Sequence, residues 1–206
     1  MNIIEAIISL EWQAFDAVQN EGGRASCQDD HETFEIMRKS QFLCWDEATQ
    51  LAYLDDLQRA KRAGRNLVQE KYARMMASTA PARYAEFAHL LPVLEAAQIA
   101  RIEAVVAVEV AWREAFAREY PHMSDKARLI RTTQDTPYST SFETYLRGEL
   151  YTYSPNTLVL YCKLVDRYRS EDRNLSTETM EHTARLYGYT SLAAAERKLE
   201  AGSQAV

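Results

Sequence analysis

The sequence predicts an all-α protein: a single-domain multi-helix bundle with a long central helix and a C-terminal set of shorter helices. Three observations favour this fold class. Apolar residues recur at three- and four-residue steps along most of the chain, which is typical of helices that bury one face. Only six glycines and five prolines occur in 206 residues, and long runs are rich in strong helix formers. No low-complexity linker divides the chain, so we expect one domain over residues 1–206.

Composition narrows the class of protein. Hydrophobic residues make up 47% of the chain and charged residues 26%, close to the averages of soluble globular proteins. The net charge of −6 argues against general nucleic-acid binding, which usually needs a basic face. The three cysteines are far apart in sequence, which fits a reducing compartment better than a disulfide framework. With no signal-peptide pattern and no apolar run of membrane-spanning length, we expect a cytoplasmic protein with no membrane partner.

The first helix is predicted over residues 3–18, where apolar side chains recur on one face. Glu11 lies in that apolar stripe, between Ile8 and Phe15. A carboxylate in such a position needs a partner, a raised pKa or a place at the edge of the core.

A loop predicted over residues 20–30 breaks the chain at two adjacent glycines. Gly22 or Gly23 can take the left-handed conformation that ends a helix. A second interpretation is that the backbone amides of this loop, together with Arg24, hold an anion. The residues leave both interpretations open.

The second helix is predicted over residues 31–45. Its stripe contains Arg38 and Gln41 at positions where apolar side chains are expected. Arg38 is the natural counter-ion for Glu11, since a buried carboxylate needs a hydrogen-bonding cation. The sequence therefore predicts a buried or cleft-lining polar network that involves both helices.

The rest of the chain is predicted to be mostly helical, with short turns between the helices. Gly64 and Gly188 are each expected to end a helix, and Ser154 followed by Pro155 is a strong helix start. In the middle of the chain, helices are predicted over 47–63, from 65 or 66 to near 81, over a short piece within 81–92, and over 96–119 and 126–131. An irregular loop is predicted at 132–139. The later predicted helices are one capped by Ser141 that ends at about 150, one over 155–168, one from 176 or 177 to 188, and a last one that begins at 190 or 191.

Positive charge is concentrated between residues 59 and 83. This stretch holds seven Lys or Arg residues and one acid, Glu70. A solvated helix face accounts for the bias as well as a functional surface does.

Polar side chains are predicted to converge near the glycine turn. Their guanidinium and amide groups would suit a ligand that carries a carboxylate or a phosphate; the alternative is that they only tie the loop to the second helix. In the ligand-binding interpretation Arg24 and Arg38 anchor the anion, Gln28 and Gln41 orient it, and a buried glutamate with a raised pKa is the general base. The candidate ligand-binding residues are Asn20, Arg24, Gln28, Arg38, Gln41, Lys71 and Tyr72, and the candidate catalytic residues are Glu11 and Glu70.

Two Glu-x-x-His pairs raise the hypothesis of a metal site, because some helical bundles bind two metal ions with such pairs and two further glutamates. The pairs are Glu86 with His89 and Glu119 with His122. Pro121 lies inside the second pair and should break the helix that would align its ligands. We therefore assign no metal ligand, leave the cofactor unknown, and keep a carboxylate and histidine metal protein as a third hypothesis.

Five segments of the chain resemble an uncharacterised bacterial family, the domain-of-unknown-function family 4125. They are residues 18–28, 37–42, 65–76, 141–153 and 187–189. The resemblance covers nearly the whole chain and implies one complete domain, and it carries over no catalytic residues. It also implies a partner, because members of that family occur beside or fused to nucleotidyltransferase-like domains.

Three functional hypotheses follow from the sequence. The first is a small-molecule-binding protein or enzyme with a polar pocket for an anionic ligand. The alternative, which draws on the resemblance, is a helical interaction or regulatory module that binds a nucleotidyltransferase-like partner through an exposed apolar patch. The third is the metal protein. No motif specifies a reaction, so enzymatic activity and oligomeric state are left open.

Overall fold

The computed structural model describes residues 2–19 and 23–203, and this part of the chain is all-α. It forms a single helical bundle, as the sequence predicts. Among the described residues, β-structure is limited to one isolated bridge between Thr136 and Ser139. The helices are α1 (Ile3–Asp16), α2 (His31–Phe42), α3 (Glu47–Arg62), α4 (Leu67–Thr79), α5 (Pro81–Phe87), α6 (Ala96–Glu119), α7 (Pro121–Asp125), α8 (Phe142–Leu150), α9 (Pro155–Ser170), α10 (Leu175–Leu186) and α11 (Leu192–Ser203).

Most of the predicted helices are confirmed. The longest helix, α6, has the predicted bounds and 24 residues. Gly64 and Gly188 follow α3 and α10 with φ angles of 68° and 84°, the conformation in which glycine ends a helix without a side-chain clash. Ser141 and Ser154 accept backbone hydrogen bonds at the starts of α8 and α9 and so cap these helices, as predicted.

The helices α1 and α2 end two and three residues before their predicted ends. After α2 the chain continues in tight turns. The backbone N–H of Cys44 donates to the carbonyl of Gln41, and the backbone N–H of Trp45 donates to the carbonyl of Phe42. Asp46 then caps α3 through the backbone N–H of Thr49. Four residues, 43–46, thus separate α2 from α3.

The predicted helix over residues 126–131 is wrong. The chain forms α7 directly after Tyr120, and residues 126–131 are irregular. Pro121 takes the first helical position, where its missing N–H is not needed. The carboxylate of Glu196 in α11 completes this start, because it accepts the backbone N–H groups of His122 and Met123, each at 2.8 Å. A cap supplied from the far end of the chain leaves no local sequence signal.

The central helix α6 links two cores. Ile102, Val106 and Val110 are almost fully buried in the main core, together with side chains of α1, α3, α8 and α9. Phe116, two turns farther along α6, is fully buried in a smaller core that it shares with α7, α10 and α11. Contacts with both cores explain why the apolar residues of α6 are not confined to one face.

Gly148 sets the distance between α8 and α4. A Cβ atom at this position would lie 2.8 Å from Cγ of Met75 and 3.1 Å from the backbone oxygen of Lys71. The missing side chain therefore lets α8 pack closely on α4. This close approach brings Glu149, the next residue of α8, to the side chain of Lys71.

One apolar stretch of the chain lies at the surface. We name residues 87–100 the apolar surface segment; it joins the end of α5 to the first turn of α6. Leu90 is 74% exposed and Val93 is 94% exposed. The first buried residue of α6 is Ile102, and Ile99 in its initial turn is 39% exposed.

None of the described helices combines the length and the apolar character needed to cross a lipid bilayer.

Candidate functional site

Arg24 ties the glycine loop to the end of α1. Gly23 has a φ angle of 86°, in the left-handed region that glycine adopts readily. The Arg24 guanidinium binds Asp16 through Nη2 at 2.6 Å and Asp29 through Nε at 2.7 Å. The same Nη2 donates to the backbone oxygen of Gln28 at 2.6 Å. The pairing with Asp29 and Asp16 raises the pKa of Arg24, and its side chain stays 46% exposed.

Gln28 is buried beneath this loop and bonds to backbone. Its Nε2 donates to the carbonyl oxygens of Phe15 and Val18 at 2.9 and 3.1 Å, and its Oε1 accepts the N–H of Ala25 at 2.9 Å. The last carbonyls of a helix lack partners within the helix, so Gln28 satisfies the end of α1. Asn20, the loop residue predicted to bind ligand, lies outside the described residues.

Arg38 lies between two carboxylates in the interior. Its Nε and Nη2 donate to the two carboxylate oxygens of Glu11 at 2.7 and 2.6 Å, a bidentate pair. Its Nη2 and Nη1 also reach Glu149, at 3.2 and 3.3 Å. The predicted pairing of Arg38 with Glu11 is therefore confirmed, and Gln41 joins it by accepting from Nη1 at 2.7 Å.

Lys71 and two tyrosines complete the cluster. Lys71 Nζ donates to Glu149 at 2.8 Å and lies 3.5 Å from the centre of the Tyr145 ring. The hydroxyl of Tyr53 donates to Glu11 at 2.7 Å, and that of Tyr153 donates to Glu149 at 3.1 Å. We call the whole set the charge network; it consists of Glu11, Arg38, Gln41, Tyr53, Lys71, Glu149 and Tyr153, and joins α1, α2, α3, α4 and α8.

The charges of this network balance. Burial alone raises the pKa of the Glu149 carboxyl, but the positive charges of Arg38 and Lys71 more than reverse this and hold its pKa well below the usual range. Burial likewise lowers the pKa of Arg38, and the charges of Glu11 and Glu149 more than reverse it, so the guanidinium stays charged. Two cations and two anions thus coexist away from water, because each has charged and hydrogen-bonded partners.

The other predicted site residues lie next to the charge network or at the surface. Glu70 lies in the first turn of α4 and forms a bidentate ion pair with Arg65, with distances of 2.8 and 2.6 Å. Tyr72 packs between α4 and α1, with its ring centre 6.4 Å from that of Phe15, and burial raises its pKa. The structure thus brings Glu11, Arg38, Gln41 and Lys71 together; their part in ligand binding or catalysis stays a prediction.

Sequence reasoning missed Glu149, Tyr53 and Tyr153. A signal existed for Glu149, because it follows Phe142 and Leu146 at helical spacing on the inner side of α8. The same pattern, a carboxylate in an apolar stripe, identified Glu11. For the two tyrosines there is no such signal, since a tyrosine on a buried face is ordinary and its hydroxyl partner depends on tertiary packing.

Metal-ligating side chains do not gather in the described part of the chain. Across residues 2–19 and 23–203, no three His, Cys, Asp or Glu residues are arranged to hold a metal ion. Glu86 instead forms an ion pair with Arg83, and His89 lies in the exposed turn that follows α5.

Two surface cavities lie apart from the predicted site residues. The first, of about 170 Å³, lies between α1, the end of α3 and the start of α4. The second, of about 220 Å³, lies between α1 and the start of α2, and its lining includes Trp12, His31, Glu5 and Glu35. The charge network lines neither of them.

The fold and the network define an all-α protein whose interior charges join five helices. Residues 1–197 match a family described as a protein of unknown function, DUF4125, and the chain belongs to that family. No curated protein and no solved structure matches it.

Proposed function

We propose that the protein is a helical interaction module that binds a partner protein through the apolar surface segment. The observation that carries the proposal is the exposure of Leu90 and Val93, at 74% and 94%, within a stretch that is apolar almost throughout. Scattered exposed apolar residues are ordinary, but contiguous apolar patches mark interaction sites.

The segment is held in place against the body of the protein. Arg74 of α4 donates from Nη2 to the backbone oxygen of Pro92 at 2.6 Å, and its guanidinium lies 5.6 Å from the centre of the Tyr151 ring. A segment fixed before binding loses less conformational entropy when it binds. This contact therefore supports a preformed binding surface.

Charge indicates the chemistry of the partner. Between residues 87 and 100 the ionisable side chains are His89 and Glu95 alone. An interface of this composition complements an apolar, nearly uncharged surface, because a charged group buried against it would have no counter-ion. The nucleotidyltransferase-like partner implied by the family resemblance is the candidate that we put forward.

The charge network supports a different role, that of holding the bundle together. Its carboxylates and cations already bind one another, so an anionic ligand would have to break internal ion pairs to reach Arg38. Glu11 is only 3% exposed and accepts from Arg38 and Tyr53, which does not favour a general base that meets substrate. A polar pocket at these residues is thus the less favoured function.

The test is co-expression with a nucleotidyltransferase-like protein, the class of partner that the family resemblance implies, followed by size-exclusion chromatography with light scattering. We expect a stoichiometric complex, and we expect Val93→Asp to abolish it, because an aspartate at the centre of an apolar interface is buried without a counter-ion. Tyr138→Asp is the matched control, since Tyr138 is 99% exposed and lies outside the segment.

Equal loss of the complex in both variants, or none in Val93→Asp, would overturn the assignment of this surface. A chain that forms no complex but dimerises in a Val93-dependent way would replace the partner by a second copy. A monomer that forms no complex would remove the support for this partner.

A further inference from the structure

The cavity between α1, α3 and α4 has an apolar floor and a cationic rim. Its floor is formed by Leu57, Ala60 and Leu67, which are buried, and its sides by Leu10 and Ala14. It has a volume of about 170 Å³ and is open to solvent on one side, unlike the closed cavities of about 150 Å³ that take up benzene. A compact body of about six carbon atoms fits by volume, with part of its surface left in contact with water.

Lys61 lies at the mouth of this cavity without a carboxylate partner. Its Nζ donates to Oε1 of Gln13 at 2.7 Å and so bridges α3 and α1. Within the described residues no Asp or Glu forms an ion pair with it. The neighbouring Arg65, in contrast, is already neutralised by Glu70.

From this geometry we propose that the cavity binds a small carboxylic acid with a compact apolar body. The carboxylate accepts from Lys61 Nζ in place of the Gln13 amide oxygen, since a carboxylate is the stronger acceptor for an ammonium group. The Gln13 amide nitrogen, which among the described residues donates only to Ser9 at 3.4 Å, is the second donor. The apolar body lies against Leu57, Ala60 and Leu67. This site is independent of the apolar surface segment and of the charge network.

The experiment is a titration of the full chain with 4-methylpentanoate, followed by amide proton and nitrogen chemical shifts. We expect saturable shifts at Ala14, Ala60 and Leu67, and binding at least about tenfold weaker for 4-methylpentanamide, which has the same shape without the charge. Lys61→Met should weaken binding of the acid by about tenfold or more, because it removes a hydrogen bond to a charged group.

Two further variants make the result specific. Arg62→Met removes a cation from the same exposed helix end but not from the cavity lining, and binding should be unchanged. Ala14→Leu fills the cavity from its half-exposed side, and binding should be lost while the melting temperature is kept. Four results would each overturn the proposal. Two concern affinity: equal affinity for acid and amide, and equal losses of affinity in Lys61→Met and Arg62→Met. The other two are binding that is retained in Ala14→Leu and the absence of a saturable shift up to the solubility of the acid.

Discussion

Arg38 and Arg24 make the same kind of contact in two different surroundings. Each guanidinium binds two carboxylates, but the side chain of Arg38 is 9% exposed and that of Arg24 is 46% exposed. The partners of Arg24 lie within eight residues of it in sequence, whereas those of Arg38 are 27 and 111 residues away. The carboxylates are Asp16 and Asp29 for Arg24, and Glu11 and Glu149 for Arg38.

The difference shows how burial changes the importance of an ion pair. In water, Coulomb attraction is weak and is partly cancelled by the entropy cost of ordering two side chains. In the interior, a charge that loses its partner keeps its full desolvation penalty. We therefore expect Arg38 to govern the stability of the bundle and Arg24 to order only its own loop.

Glu109 provides a third case, a buried carboxyl that forms no ion pair with the described cations. The hydroxyl of Tyr161 donates to it at 2.8 Å, and burial raises the pKa of Glu109 to about 8. Glu149 is equally buried, yet Arg38 and Lys71 hold its pKa well below the usual range. A cation within hydrogen-bonding distance thus decides whether a buried carboxyl is charged at neutral pH.

The largest effect is expected for Arg38→Met. Methionine is apolar and replaces only the aliphatic part of the arginine side chain, so the variant leaves Glu11 without its cation and Glu149 with Lys71 alone. We expect the free energy of unfolding to fall by about 3 to 5 kcal/mol, measured by urea denaturation followed by circular dichroism. A loss no greater than that of an exposed ion pair would show that the network contributes little.

A smaller, pH-dependent effect is expected for Glu109→Gln. Since the pKa of Glu109 is about 8 in the folded protein and 4.5 ordinarily, the unfolded chain loses this proton first. The contribution of the protonated Glu109 carboxyl to the free energy of unfolding is complete below pH 4.5 and is lost as the pH rises through 8. Glutamine cannot ionise and still accepts from Tyr161, so the variant should be more stable than the wild type at pH 9.

The expected size of this gain is on the order of 3 kcal/mol, from about 1.4 kcal/mol per pKa unit and some relaxation around the charged group. The measurement is the free energy of unfolding of both proteins from pH 5 to pH 9, read as a difference so that other titrating groups cancel. Parallel curves across this range would contradict a raised pKa for Glu109.

The smallest effect is expected for Arg24→Met, the matched partner of Arg38→Met. Its ion pairs with Asp16 and Asp29 are screened by solvent, so the midpoint of urea denaturation should stay within experimental error. Faster hydrogen exchange at the amide of Gln28 is the expected local change, because Arg24 binds the carbonyl of that residue. A fall in stability comparable to that of Arg38→Met would erase the distinction between the two arginines.

Much of the site was predictable because polar residues in an apolar stripe stand out. Glu11 and Arg38 were found in this way, and so was their pairing. The ligand-binding interpretation does not separate Arg38 from Arg24, since it assigns both arginines to the anion. Their burial depends on which helix faces cover them, and that is a property of the assembled bundle.

The sequence by itself determined the all-α fold, the bounds of α6 and the glycine ends of α3 and α10, because helix periodicity and positive φ are local properties of the chain. Tertiary structure decided the capping of α7 by Glu196 of α11 and the closing of the charge network by Glu149. It also left Leu90 and Val93 exposed, since an apolar stretch becomes core or surface according to what packs on it. These features depend on contacts between residues far apart in sequence, and desolvation and pairing are fixed only when those residues meet.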